Sequence, residues 1–370
     1  MSEKRASDDA AVSVENEALR ITVRRDSGEY EILHQPTGRT WMGPSGRLCS
    51  LTLIPEDGRA KSGYETDRAN LVVKEFERIA AGQSSIRAVY LPERRAIRDT
   101  TLRLEFSLTL LGTDCVELGY SVLAEDPSWS IHSVRIVDDA LAIADAGDYA
   151  IAPVYQGEAI PVGSRFSYQP EDRKPTVLTS DMVGTYPGMS LWNMAMFALV
   201  KGGSTALITW DDPSVEPGLS GRDDGAGGPE ITSTVILHRR ASAVRIHFLE
   251  GAGYVEAAKY YRGIAKARGF CVPLKERMKG RPTLEKNIGA LRFTVAPKWG
   301  REKGSGWAPF LADGERRVDY SFDEIADVAE HLKKDLGIEK ALVLVKAWSR
   351  RGYDMDYPDV LPAAPECGGN

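Results

Sequence analysis

Cysteine is scarce and scattered: Cys49, Cys115, Cys271 and Cys367 are the only four in 370 residues, and they form no CxxC or Cys/His ligand spacing. That argues against a disulfide-stapled scaffold and against a zinc site, so the thiols read as free and no metal or cofactor is expected. Basic clusters are lacking too. The net charge is −6 and the Lys and Arg are spread along the chain, which leaves no electrostatic footprint for nucleic acid or an anionic membrane surface. No run of about 18 apolar residues occurs, and the start, MSEKRASDDAAVSVENE, has no apolar signal-peptide core. The chain as given therefore reads as soluble and cytoplasmic, or as secreted if a signal has been removed. There is no P-loop and no GxGxxG, and Gly225–Gly228 reads as a flexible loop. The five histidines, His34, His132, His238, His247 and His331, stand singly. His238 and His247 fall in neighbouring predicted strands and could face one another, although satisfied strand histidines are the simpler reading.

What is present is β-pattern. Residues 1–10 are small and charged and read as a disordered tail. From there to residue 250 helical periodicity is almost absent. Leu19–Arg25 alternates apolar and polar, Asp26-Ser-Gly28 is turn chemistry, and Tyr30–Leu33 starts the return strand of a hairpin. The clearest alternation is Leu102, Leu104, Phe106, Leu108, Leu110, then Val116, Leu118, Tyr120 and Val122 after a Gly112-Thr-Asp114 turn. Period two over that length means a strand pair half buried against another layer. Further candidate strands are Leu51–Ile54, Leu71–Phe76, Ser85–Tyr90, Ser133–Val137, Met196–Val200, Ser204–Trp210, Ile231–His238 and Ala243–Phe248. Many short strands joined by Gly, Pro and Asp turns indicate a large antiparallel β-sandwich over 11–250, with Trp192 and Trp210 in its core and Asp211-Asp212 and Asp223-Asp224 in turns.

Near residue 250 the period changes. Tyr254, Ala258, Tyr261 and Ala265 recur at helical spacing, with Gly269 at the stop and Pro273 beyond it. The helix and a basic surface connector, Pro273–Pro282, occupy 251–283. From 284 the pattern is α/β. Ile288–Val295 is β-capable, Ser321-Phe-Asp-Glu324 is a capping box, and Ile325, Val328, Ala329, Leu332 and Leu336 share one helix face up to Gly337. Ala341–Val345 is a continuous apolar run of the kind buried on both faces in parallel sheets. The fold class is thus mainly β with an α/β C-terminal part: a sandwich followed by the first strand, helix and strand of a (β/α) barrel over 284–370.

In such a barrel the loop after a strand handles ligands. Here that loop carries Trp348 and Tyr353, flat faces for a sugar ring, with Arg350, Arg351, Asp354, Asp356 and Asp359 as donors and acceptors for hydroxyls. The plain alternative is that Trp348 packs the barrel top, the arginines pair with the aspartates, and the prolines stiffen a long loop.

These features together resemble the glycosidases that carry a galactose-mutarotase-like supersandwich before a catalytic barrel, in particular the endo-α-N-acetylgalactosaminidase-like enzymes. The residues behind the resemblance are the exit helix Tyr254–Gly269, the barrel start Gly289–Val295, and Phe322–Leu336 followed by Trp348…Arg351-Gly-Tyr-Asp354…Tyr357-Pro-Asp359…Pro362…Gly368-Gly369. The resemblance implies that Trp348, Gly352, Asp354 and Pro358 shape the sugar subsite, with Asp354 accepting bonds from substrate hydroxyls. Tyr353 stands where such relatives often have histidine, which leaves the sugar open. Trp299 and Lys298, after the first barrel strand, would line the same mouth or serve as plain loop.

Glycoside hydrolysis needs two carboxylates flanking the scissile bond. Asp354 with Asp356, or Asp359 with Glu366, share one loop and read better as solvated or arginine-paired groups. The resemblance implies that the catalytic pair belongs to later barrel strands, so the chain is expected to be an N-terminal portion, truncated within the barrel, that binds one side of a carbohydrate substrate. Open strand edges at Ile288–Val295 and Ala341–Val345 would then invite self-association. Two rival readings stay open: a non-catalytic carbohydrate-binding or scaffold protein whose C-terminal strands join the sandwich sheet, and a mutarotase-like epimerase with a histidine and a carboxylate facing one concave sheet.

Overall fold

The computed structural model describes residues 10–55, 69–92, 100–153, 157–163, 177–179, 192–223, 229–238, 241–251, 253–300, 310–352 and 358–369. The chain divides into two compact units, Met1–Ala265 and Lys266–Asn370.

The first unit is built by alternation. Among the described residues its strands form a four-stranded meander (Ala11–Glu15, Leu19–Arg24, Tyr30–His34, Arg39–Met42), a nine-stranded sheet and a six-stranded sheet. In the nine-stranded sheet Arg103–Leu111 and Cys115–Ala124 pair antiparallel, setting Leu104 opposite Val122, Phe106 opposite Tyr120, Leu108 opposite Leu118 and Leu110 opposite Val116. Those pairs share one face, as period two requires; it is buried against the core except at Tyr120, half-buried, and Val122, 43% exposed. All three sheets feed one core: Trp41 from the meander, Phe106, Phe197 and Phe248 from the nine strands, Val134 and Leu237 from the six. Each large side chain so buried stabilises the fold by roughly 1.5–3 kcal/mol.

The outer face of the nine-stranded sheet is partly covered by the helix Tyr254–Ala267. Ala257 packs on Met196, Ala198 and Leu207, with Tyr260 and Tyr261 at the margin. This second layer is why Ser204–Thr209 is buried along its whole length. Trp129–Ile143, in the six-stranded sheet, is 15 residues long and crossed by three register shifts against Pro229–His238. Asp139 and Leu141 there sit at φ 61° and 57°, a left-handed backbone costly for residues with a Cβ. Sequence alternation reveals only Ser133–Val137 of this strand, because each bulge resets the period.

The second unit holds one complete strand, helix, strand unit. Leu291–Val295 and Ala341–Val345 pair in parallel, Leu291 opposite Ala341 and Val295 opposite Val345. Between them Phe322–Lys334 is opened by the capping box: Ser321 Oγ accepts from the Glu324 amide at 3.1 Å, and Glu324 Oε2 accepts from the Ser321 amide at 2.7 Å. Gly337, at φ 62°, turns the chain out of the helix while the Ile338 amide bonds back to the Leu332 carbonyl.

Several expectations are corrected. Ala341–Val345 is not buried on both faces: none of its five residues is buried, since no described layer covers them. The stretch 273–282 is not plain connector, for Leu274–Met278 is helical and Pro282–Lys286 follows as a second short helix; neither buries a residue. The C-terminal strands do not join a sandwich sheet, as one rival reading requires, but pair with one another. His238 and His247 do not face each other, because they lie in the six- and nine-stranded sheets respectively. Asp223 ends the strand Val215–Asp223 rather than a turn, while Asp224–Gly228 and residues 1–9 of the expected tail lie outside the described residues. No helix among the described residues is long and apolar enough to cross a membrane.

Candidate functional site

The parallel register brings the C-terminal ends of Leu291–Val295 and Ala341–Val345 to one side of their sheet, and the segments that leave those ends meet. The Lys346 amide bonds the Val295 carbonyl at 2.8 Å, and Ala347, at φ 53°, bends the chain sharply while buried. The loop then closes on itself. Ser349 bridges Ala363, the Arg350 amide reaches the Pro362 carbonyl, and the Ala364 amide reaches the Trp348 carbonyl at 2.8 Å. Gly352 makes the return turn at φ 105°, its carbonyl accepting from Ser349 Oγ at 2.8 Å.

Lys298 fastens this loop from the other strand end. It is 1% exposed, and its ammonium donates to Glu366 Oε1 at 2.6 Å and to the Arg350 carbonyl. A buried ammonium is tolerated only with such partners. The hydrogen bond from Lys298 holds the Glu366 carboxyl below the usual glutamate range against a smaller desolvation effect. Burial in turn raises the neighbouring Cys367 thiol. Lys298 is therefore a positioning residue. Sequence reasoning weighed it evenly against a loop role; its partner lies 68 residues away, and no local pattern announces that contact.

The aromatic residues remain accessible. Trp348 and Trp299 are both half-buried. Trp299 packs edge-on against Phe310, centroids 5.6 Å apart, and lies opposite Arg317, whose guanidinium sits 5.1 Å from the Phe310 ring. No ring contact joins Trp299 to Trp348 among the described residues. Arg351 and Asp359 are exposed, as is Pro358. Tyr353, Asp354 and Asp356 lie outside the described residues. Of Asp359 and Glu366, the first is exposed and the second is bonded to Lys298. Among the described residues no group of three His, Cys, Asp or Glu side chains is placed to hold a metal ion.

The histidines of the first unit are engaged elsewhere. His34 is buried, bonded to Ser204 Oγ at 2.9 Å, and desolvation lowers its pKa. His247 is buried between Thr209 and Tyr260. His238 Nε2 and Glu216 Oε2 bond each other at 2.8 Å.

No family model matches the chain, and none of the curated proteins does. Solved structures do. The α-N-acetylgalactosaminidase NagBb from Bifidobacterium bifidum, in complex with GalNAc, is 19% identical at a TM-score of 0.71, the alignment covering 97% of this chain and 55% of that one. Its Gal-NHAc-DNJ complex gives 18% identity and a TM-score of 0.70 over the same shares. The chain thus spans about half the length of the neighbour it matches, and shares its fold over nearly all of its own.

Proposed function

We propose that the chain forms the sandwich and the opening strands of a carbohydrate-active barrel enzyme, a glycoside hydrolase, and that the loop after Ala341–Val345 shapes one side of its sugar subsite. The observation that carries this reading is the Lys298 clamp, which ties the segments after both parallel strands into one surface at the strand ends. In barrels that is the ligand-handling end. Trp348, half-buried on a loop fixed through its own carbonyl, suits a stacking platform, with Arg351 and Asp359 exposed beside it in sequence as hydroxyl partners. Asp354, Tyr353 and Trp299 complete the subsite in this proposal. The shared fold with an α-N-acetylgalactosaminidase favours an N-acetylhexosamine or galactose-like sugar. Cleavage relies on two carboxylates that flank the bond, and in this reading they belong to barrel strands later than these two.

The test is calorimetric titration of N-acetylgalactosamine into the chain, alongside an assay with an aryl glycoside. Binding should weaken at least tenfold in Trp348→Ala and in Asp354→Ala, with no aryl glycoside turned over. Undiminished binding in both variants overturns the subsite, and robust hydrolysis overturns the assignment of the acid and nucleophile to other strands.

A further inference from the structure

We propose that the first unit carries a binding site of its own, a cleft on the outer face of the nine-stranded sheet that takes one neutral, pyranose-sized polyol. It shares no residue with the loop discussed above, so either site can fail while the other stands.

The cleft is half open to solvent and offers about 290 Å³, at the small end for ligand pockets and enough for a single ring. Its floor follows from register. Cys115–Ala124, Ala243–Glu250 and Ser204–Thr209 are consecutive strands, and pairing sets Glu117 opposite Arg245 and Arg245 opposite Thr209. Three polar side chains thus stand in one row across three strands, on the face opposite Val116, Leu118, Val244 and Ile246 of the core. Arg245 is held from two sides, its Nε donating to Glu117 Oε2 and its Nη1 to Asp211 Oδ2, both at 3.0 Å. All three side chains remain 30–54% exposed, so a ligand meets a preformed array without a large desolvation cost.

Thr209 is the buried end of the row, and its hydroxyl is oriented from behind. Tyr260 donates its phenolic proton to Asp114 Oδ2 at 2.8 Å, since a carboxylate only accepts. Its oxygen can then only accept from His247 Nδ1, 3.3 Å away, which assigns the imidazole proton to Nδ1. The bare Nε2 accepts the Thr209 proton at 3.1 Å, so Thr209, 1% exposed, closes the inner end of the row instead of meeting a ligand. The groups within a ligand's reach therefore read acceptor, donor, acceptor: Asp211 carboxylate, Arg245 guanidinium, Glu117 carboxylate. Neighbouring ring hydroxyls, each able to donate and accept, match that sequence. Ala243, half-buried, lines the same cleft and offers a small apolar surface to the C–H face of a ring. Glu117, Asp211 and Asp212 against Arg245 alone make the lining net acidic, which disfavours a phosphate or carboxylate ligand.

The experiment is saturation-transfer NMR and calorimetry on the full chain with galactose, N-acetylgalactosamine and inorganic phosphate as probes. Saturable sugar binding is expected, with no phosphate binding. Glu117→Gln should weaken it about tenfold and Asp211→Asn several-fold, each with an unchanged circular-dichroism melt, while Trp348→Ala leaves this site intact. Neither Glu117 nor Asp211 is buried, so both variants report on binding without disturbing the sheet's core. Equal binding by wild type and Glu117→Gln, phosphate bound in place of sugar, or no saturable sugar binding at all overturns the proposal.

Discussion

Two short strands lie in opposite surroundings, and the less apolar of them is the better buried. Ser204–Thr209, half of it hydroxyl-bearing, is buried at every position, whereas Ala341–Val345, apolar throughout, has no buried residue. The difference is one of layers, not of composition. The first strand has the sandwich core on one face and the helix Tyr254–Ala267 on the other. Among the described residues the second has a single parallel partner, and parallel pairs ordinarily owe their stability to helices on both faces. Hydrophobic sequence states what a strand can bury; the neighbouring layers decide what it does bury.

The largest test of this contrast is Phe106→Ala. The ring is 1% exposed and lies between Tyr90 and Tyr120, with centroids 6.4 and 6.3 Å away. Truncation should cost about 3–5 kcal/mol in the urea transition of the first unit. A loss below about 1 kcal/mol would mean that the core tolerates a void there and that the contrast is overstated.

Lys298→Met probes the second unit where it does bury something. The variant keeps the stem's packing but leaves the Arg350 carbonyl without its donor, at a cost of about 1–3 kcal/mol. It should also loosen the loop, so proteolysis within 348–369 should quicken. An unchanged digestion rate would show that the loop's own backbone bonds suffice. The same pair sets a smaller pH effect. Because Glu366 has a folded-state pKa below its unfolded value, its contribution is present above the ordinary glutamate range and is lost as the pH falls through the lowered value. Its side chain is 38% exposed, so solvent screening keeps this effect small. Wild type and Lys298→Met should therefore converge in stability on acidification. A gap that stays constant to low pH would assign the clamp to the carbonyl bond alone.

How much of this was legible follows the range of the signals. The alternation of Leu104 through Leu110 and the Ser321 to Glu324 capping box are local patterns, and both elements formed as read. Trp129–Ile143 was seen only in part, because its bulges interrupt the alternation. The Lys298 clamp and the row Thr209, Arg245, Glu117 depend on contacts between distant segments: a charged residue between two apolar ones marks an outward strand position, and only register says which charge stands beside it. Of the loop residues, Trp348 and Trp299 are half-buried, and Arg351 and Asp359 are exposed. Asp354, on which the resemblance placed most weight, lies outside the described residues.

The smallest expected effect returns to the exposed strands. Leu342 and Leu344 are 45% and 39% exposed, and Leu291 on the partner strand is 40%. A side chain that leaves water so incompletely gains little by folding, so Leu342→Ser should change stability by no more than about 0.5 kcal/mol. It should nevertheless lower the binding of a hydrophobic dye, and reduce any self-association measured by sedimentation, because apolar strand faces with open edges attract other chains. A destabilisation approaching that of Phe106→Ala would break the comparison outright. It would mean that in solution Leu342 is covered by a further layer and that both strands are buried by the same rule.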